Sequence, residues 1–395
     1  MELKPESAGS PLAMGIMSGT SLDGADAVLA HYPASGTPVL LAHAHRPFVP
    51  GLREELLALQ RPCENELHRA ALAGLALADH YAVLVEELLE ATGVDRNEVL
   101  AIGAHGQTVR HRPELGFTLQ LNAPARLAEL TGIDVVADFR SGDIAAGGQG
   151  APLVPAFHAE VFRSDHHHRA VLNLGGIANL TQLPKAGSRS PVRGWDCGPG
   201  NVLLDLWFAR HQGGPFDARG GWSAKGRQDQ DLLARLLSEP WLDLPPPKST
   251  GRDLFNVGWL ESRLAQAPDI NAVDVQATLA QFTALTVSRS IAREMPEIEE
   301  LLVCGGGAFN DDLIARLAGA LLAALERSVP VNSCSLYGLA PEHVEALAFG
   351  WLAVRRLADR SASLPAVTGA KGSRTLGAHY RRGVPGPTES KGNDL

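Results

Sequence analysis

Residues 14–27 read MGIMSGTSLDGADA. A short apolar run leads into a turn dense in Gly, Ser and Thr, and one carboxylate, Asp23, stands where that turn closes. Beyond it Ala25, Ala27 and Leu29 alternate with Asp26, Val28 and Ala30, which predicts a second strand leaving the turn. Glycine lets a backbone approach a polyanion closely, and successive N–H groups and hydroxyls then cradle phosphate oxygens. The candidates for that cradle are Gly19, Thr20, Ser21, Leu22, Asp23, Gly24, Ala25 and Asp26. Asp23 is also placed to hold Mg²⁺ through its water shell. Taken alone, the stretch reads as an ordinary hairpin turn, so the rest of the chain decides.

Moving outward, strand-like segments cover about 13–18, 26–32 and 38–45, and residues 65–92 form a long helical pattern ended by Gly93. Strands at 99–103 and 117–121 flank a loop, HGQTVRHRP; a short helix at 124–131 then leads to the apolar strand IDVVADF. A Gly-rich stretch fills 140–155, and RAVLNLGGIANLTQL (169–183) reads as a hairpin turning at Gly175-Gly176. DCGPGN (196–201) reads as a loop opening onto the helix VLLDLWFARH, and DLPPPKSTGRDLFN (243–256) as a surface loop. A helix over 273–295 precedes the strand in ELLVCGGGAFN (300–310), and a helix over 343–358 comes last. Strands, helix, strand, helix, strand, repeated once, predict two α/β lobes with a cleft between them.

The bulk properties agree. A chain of 395 residues exceeds what one core usually serves, and its 45% hydrophobic and 20% charged content is that of a soluble globular protein. A net charge of −9 argues against nucleic-acid or anionic-membrane partners, so a nucleotide's charge would have to be met locally. Cys63, Cys197, Cys304 and Cys334 form no CxxC pair and read as free thiols of a reducing compartment. The N-terminus has no apolar signal region and no run reaches membrane-span length, so a cytoplasmic location is expected.

There is no GxxxxGK[ST] string and no GxSxG elbow, which argues against a P-loop enzyme and a serine hydrolase. Gly305, Gly306 and Gly307 follow a strand and precede a helix, where a phosphate or a nucleoside can lie on bare backbone. Three such turns, SGTSLDG, NLGGIANLT (with Gly175, Gly176 and Asn179) and CGGGAFN, can serve different parts of one nucleotide. Together with AHGQTVRH, DFRSGDIAAGGQGAPLVP, DCGPGN and PKSTGRDLFN, they resemble, in this order and from about residue 13 to 380, the anhydro-N-acetylmuramic acid kinase family.

The resemblance implies an α/β fold of the actin/hexokinase-like kind, two ribonuclease-H-like lobes with a nucleotide-binding cleft between them, usually as a homodimer. It implies a bacterial enzyme of peptidoglycan recycling that uses ATP and Mg²⁺ to convert 1,6-anhydro-N-acetylmuramic acid and water to N-acetylmuramic acid 6-phosphate. On that reading residues 1–12 are a loose lead, 13–139 the first lobe, 140–365 the second, 366–380 a return toward the first, and 381–395 a disordered tail. The rivals are an ordinary amino-sugar kinase and a non-catalytic sensor of nucleotide and muramyl sugar.

Asp196 matches the family's catalytic base; without the resemblance it reads as a helix N-cap or turn aspartate. Because O6 of an anhydro sugar carries no proton, such a base would activate a water that attacks C1 while O6 takes the γ-phosphoryl group. Glu345 matches a second family carboxylate near the sugar, or is a solvated helix-face residue. His105, Gln107, Thr108, Arg140 and Asp143 are the sugar-contact candidates, Arg140 through bidentate pairing with the lactyl carboxylate. Lys248 reads as solvated or as a phosphate contact, and His166, His167 and His168 as a surface turn, since neighbours on a strand point to opposite faces.

Overall fold

The computed structural model describes residues 9–19, 22–265 and 269–383. Most of the expected lead, Thr20 and Ser21 of the phosphate turn, and the tail from residue 384 lie outside them.

Strand β1 (Leu12–Met17) sends Leu12, Met14 and Ile16 into one core and turns Ala13, Gly15 and Met17 to the other face. β2 (Gly24–His31) and β3 (Val39–Pro47) continue antiparallel from it. Helices α1 (Pro50–Ala58) and α2 (Glu66–Thr92) cross back, α2 ending at Gly93 in the left-handed conformation expected of a glycine cap. β4 (Val99–Ala104) then runs parallel to β1. Residues expected as a loop instead form β5 (Gln107–Arg112), paired with β6 (Phe117–Leu121). Gln107 and Val109 alternate into the interior there, and the reversal is displaced to Pro113–Gly116. After α3 (Pro124–Thr131), β7 (Val135–Ala137) adds parallel to β4, giving the order β3-β2-β1-β4-β7.

Helices α4 (Ser141–Ala145) and α5 (Val154–Phe162) lead to a second sheet. Its strands β8 (Arg169–Leu174), β9 (Ile177–Leu183) and β10 (Arg193–Pro199) are antiparallel. Four helices follow: α6 (Val202–Gln212), α7 (Gln230–Leu237), α8 (Val257–Leu264) and α9 (Ala272–Glu294). β11 (Glu300–Cys304), helix α10 (Asp311–Leu325) and β12 (Val331–Ser333) complete the parallel side. The order β10-β9-β8-β11-β12 repeats the first sheet's pattern of three antiparallel and two parallel strands, the ribonuclease-H-like order twice over. DCGPGN, expected as a loop, is thus largely strand. Trp195 and Cys197 alternate into the core with Asp196 on the opposite face, a period of two hidden by the glycines and proline around it.

The last elements are α11 (Val344–Leu357), α12 (Pro365–Thr368) and β13 (Ala378–Tyr380), which pairs with β7. α11 lies directly on β1 and β4, so the chain rejoins the first sheet well before residue 366. A core of Phe139, Phe157, Val171, Leu302 and Phe349 joins the two lobes around this helix. All four cysteines are free, and among the described residues no helix is long and apolar enough to cross a membrane.

Candidate active site

In the second sheet Asn173, Asn179 and Asp196 stand directly opposite one another across β8, β9 and β10. Cross-strand partners share a face, so the outer two are separated by two strand spacings, about 10 Å. Glu345, in the first turn of α11, meets the Asn173 side-chain amide at one end of this row. Asp196 holds the other end. Its Oδ2 accepts the Thr250 N–H at 2.8 Å, and its own N–H donates to the Lys248 carbonyl at 3.1 Å.

Burial pushes the Asp196 carboxyl up to about 7, against the opposing effects of the Thr250 N–H and the nearby Lys248 charge. Glu345 is also raised by burial; Arg140 opposes this, Asp26 adds to it, and the Asn173 amide opposes it. The row therefore carries a carboxyl of raised proton affinity at each end. Asn173 keeps its Oδ1 buried without a partner, and a Cβ on Gly305 would fall 2.4 Å from that oxygen.

Arg140, just past β7, donates to His105 Nε2 from Nε (3.2 Å) and Nη2 (2.9 Å) and to the Gly150 carbonyl from Nη1 (2.7 Å). Burial, then the Arg140 charge, holds His105 down at about 3, so its ring stays neutral and accepts at Nε2. The side edge of the guanidinium is occupied, leaving at most the edge between its terminal nitrogens for an anion. Asp143 departs from the expected sugar contact. It is fully enclosed, with Oδ2 on the Gly150 N–H and Oδ1 on the Thr368 hydroxyl, both at 2.8 Å, and so braces the Gly-rich loop. Thr108 accepts from Gln120 at 3.2 Å, whereas both amide atoms of the buried Gln107 lack protein partners.

In the phosphate turn Leu22 is a core residue at φ 57°, its carbonyl held by Arg53 Nε at 2.9 Å, and Ala25 is buried. Asp26 is spent within its own lobe: its burial is outweighed by hydrogen bonds from His43 (3.1 Å) and His45 (3.0 Å), which hold it down at about 2. Asp23 is exposed where the turn meets the second lobe, and its charge reaches Asp205 of α6 and Arg252. Asp205 is pushed up to about 7 by burial; Arg252 opposes this, while Asp23 and Asp217 add to it. Two carboxylates from opposite lobes that repel one another fit a hard divalent cation bound through oxygen and water. Arg252, its Nε buried without a protein partner, fits a phosphate. The sequence reading missed both, because one Asp in an amphipathic helix and one Arg in a polar loop carry no local signal.

The other glycine turns differ in use. Gly175 and Gly176 give their carbonyls to the N–H groups of Gly200, Asn201 and Val202, which ties the hairpin to the start of α6. Gly305 donates to the Pro341 carbonyl, Gly307 packs on Leu174, and Gly306 faces open space. Asp311 and Asp312 open α10 and pair with Arg219 (2.6 Å) and Arg316 (2.8 Å). Among the described residues no group of three or more His, Cys, Asp or Glu is placed to hold a metal ion, the His166–His168 run included.

Two sheets of ribonuclease-H-like strand order, joined through a shared core, define an α/β fold of the actin/hexokinase-like kind. The anhydro-N-acetylmuramic acid kinase family model matches residues 11–382, and the chain belongs to that family. Proteins of that name from Bordetella petrii and Burkholderia orbicola are 56% and 53% identical, each over 93% of this chain and 96% of their own. One from Cupriavidus metallidurans is 50% identical over 97% of this chain and 100% of its own. Among solved structures, a ROK family glucokinase from Streptomyces griseus in complex with glucose and AMPPNP is similar at 14% identity and TM-score 0.40. The match covers 86% of this chain and 98% of that one. Component A of (R)-2-hydroxyglutaryl-CoA dehydratase from Acidaminococcus fermentans is similar at 13% identity and TM-score 0.47, over 86% and 96%.

Proposed function

We propose that this kinase couples hydration of the 1,6-anhydro bridge of anhydro-N-acetylmuramic acid to phosphorylation of the freed O6, with Asp196 as the base. The observation that carries this reading is the cross-strand row with Asp196 at one end and Glu345 at the other. Two strand spacings, about 10 Å, separate Asn173 from Asp196 along that row, which leaves room for a sugar ring with a water to lie over it.

Asp196 takes a proton from that water and the water oxygen bonds to C1. The C1–O6 bond breaks, O6 forms its bond to the γ-phosphorus of ATP, and ADP leaves with the former bridging oxygen. A carboxyl titrating near 7 suits a base at neutral pH, since about half of it is ionised there and that form is more basic than an ordinary carboxylate. Glu345 borders the ring on the opposite side. Asp23 and Asp205 would hold Mg²⁺, which neutralises charge on the β- and γ-phosphates when bound. Arg252 meets the same phosphates, and the Gly306 turn receives the nucleoside.

Arg140 binds the lactyl carboxylate through its remaining edge, with His105 fixing its plane. Arg140→Lys, which loses the fork geometry, is expected to raise the sugar KM about tenfold, roughly the 1.4 kcal/mol of one such contact. An unchanged KM would remove Arg140 from the sugar site.

The decisive test is ADP release with Mg²⁺-ATP and the anhydro sugar in ¹⁸O-water, with the product weighed before anomeric exchange. One ¹⁸O at C1 of a 6-phosphorylated sugar for each ADP is the expected result. Turnover with free amino sugars alone, or tight binding without turnover, would replace this reading by an ordinary kinase or a sensor.

A further inference from the structure

The segment between α7 and α8, expected as a surface loop, is laid along β10 as a strap. Its residues bracket Asp196: the Lys248 carbonyl takes the Asp196 N–H at 3.1 Å, and the Thr250 N–H meets Asp196 Oδ2 at 2.8 Å. The strap thereby commits one carboxylate oxygen and leaves Oδ1 as the oxygen able to accept a proton. What holds the strap is the Lys248 side chain. Its ammonium turns back instead of reaching a phosphate, donating to the carbonyls of Leu242 (2.8 Å) and Trp241 (3.4 Å). It also lies 4.3 Å from the centre of the Trp241 ring, which packs edge-on against Phe255.

From this geometry we infer that Lys248 is a positioning residue for the reaction: it pins the strap that orients Asp196, and its nearby charge favours the ionised, basic form of that carboxyl. The inference rests on the reading of Asp196 as the base. The other groups facing the ammonium are Arg293 and Glu294 of α9, Cys197 of β10 and Asp243. Burial and Arg293 disfavour its charge while Asp243 and Glu294 favour it; the buried Cys197 thiol stays neutral. Asp196 itself senses the lysine as a stabilising cation. Removing the positive charge therefore raises the proton affinity of Asp196, and the acidic limb of the pH profile moves to higher pH.

The experiment compares pH profiles of kcat for wild type, Lys248→Met, Lys248→Gln and Lys248→Arg. Lys248→Gln keeps an N–H donor for the two carbonyls, so it separates loss of charge from loss of the strap. Both neutral variants are expected to shift the acidic limb upward by about one pH unit, and Lys248→Arg to restore it toward wild type. A limb unmoved in folded Lys248→Gln overturns the inference, as does a shift that Lys248→Arg reproduces in full. Asp196→Asn serves as the separate control: normal turnover there would remove the base assignment, whereas loss of turnover with an unmoved limb in Lys248→Gln would remove only the role of Lys248.

Discussion

Replacing Asp196 by asparagine is expected to lower kcat by about 10²–10⁴-fold, the usual worth of a positioned general base, with sugar and nucleotide binding retained. The substitution is nearly isosteric. The new amide oxygen still accepts the Thr250 N–H, and Trp195 and Cys197 on either side keep their places in the core. In the wild type a carboxyl held at about 7 by burial is protonated below that pH. Activity therefore falls about tenfold for each pH unit below 7. In Asp196→Asn that limb disappears along with the rate. Steady-state kinetics from pH 5 to 8, with calorimetric titration of the sugar, measures both; normal turnover in the variant would remove Asp196 from the chemistry.

What the sequence disclosed of this site was Asp23, Asp196, Glu345 and the glycine turns, and what it hid was their partners. Asp196 stood out only through the resemblance, because DCGPGN looks like a loop; its strand character depends on Trp195 and Cys197 having a core to enter. A short apolar run made β1 visible early and alternation made β2 so, and Gly93 marked the end of α2. The strand order was not readable, since the pairing of β8 with β11 joins segments far apart in the chain. Asp143 shows the opposite failure. An acid beside Arg140 in a Gly-rich loop looks like a ligand contact, yet Gly150 and Thr368, the latter near the other end of the chain, consume both its oxygens. Asp205 and Asn173 become interesting only once folding brings Asp23 to one and Glu345 to the other.

The second large effect concerns stability. Gly15→Ala is expected to destabilise the protein by about 3 kcal/mol or more, at the upper end of what overpacking costs. A Cβ at residue 15 would lie 1.9 Å from the Ala346 carbonyl oxygen and 2.6 Å from the Gly350 nitrogen, both backbone atoms of α11 that no rotamer change can move. Gly103 on β4 is in the same position, 2.1 Å from the Phe349 oxygen, so the helix rests on bare backbone of two neighbouring strands. Accommodating the methyl group means lifting α11 off the sheet, which opens the core around Phe349 and shifts Glu345 at the helix's start. Activity should consequently fall in any Gly15→Ala protein that still folds. Gly319 provides the comparison: it lies mid-helix in α10 with open space around it, so Gly319→Ala should be neutral or stabilising by up to about 1 kcal/mol. Thermal and urea unfolding should therefore show a large loss of stability in Gly15→Ala and none in Gly319→Ala. Equal shifts would mean that the contact between α11 and β1 is not what requires glycine at residue 15.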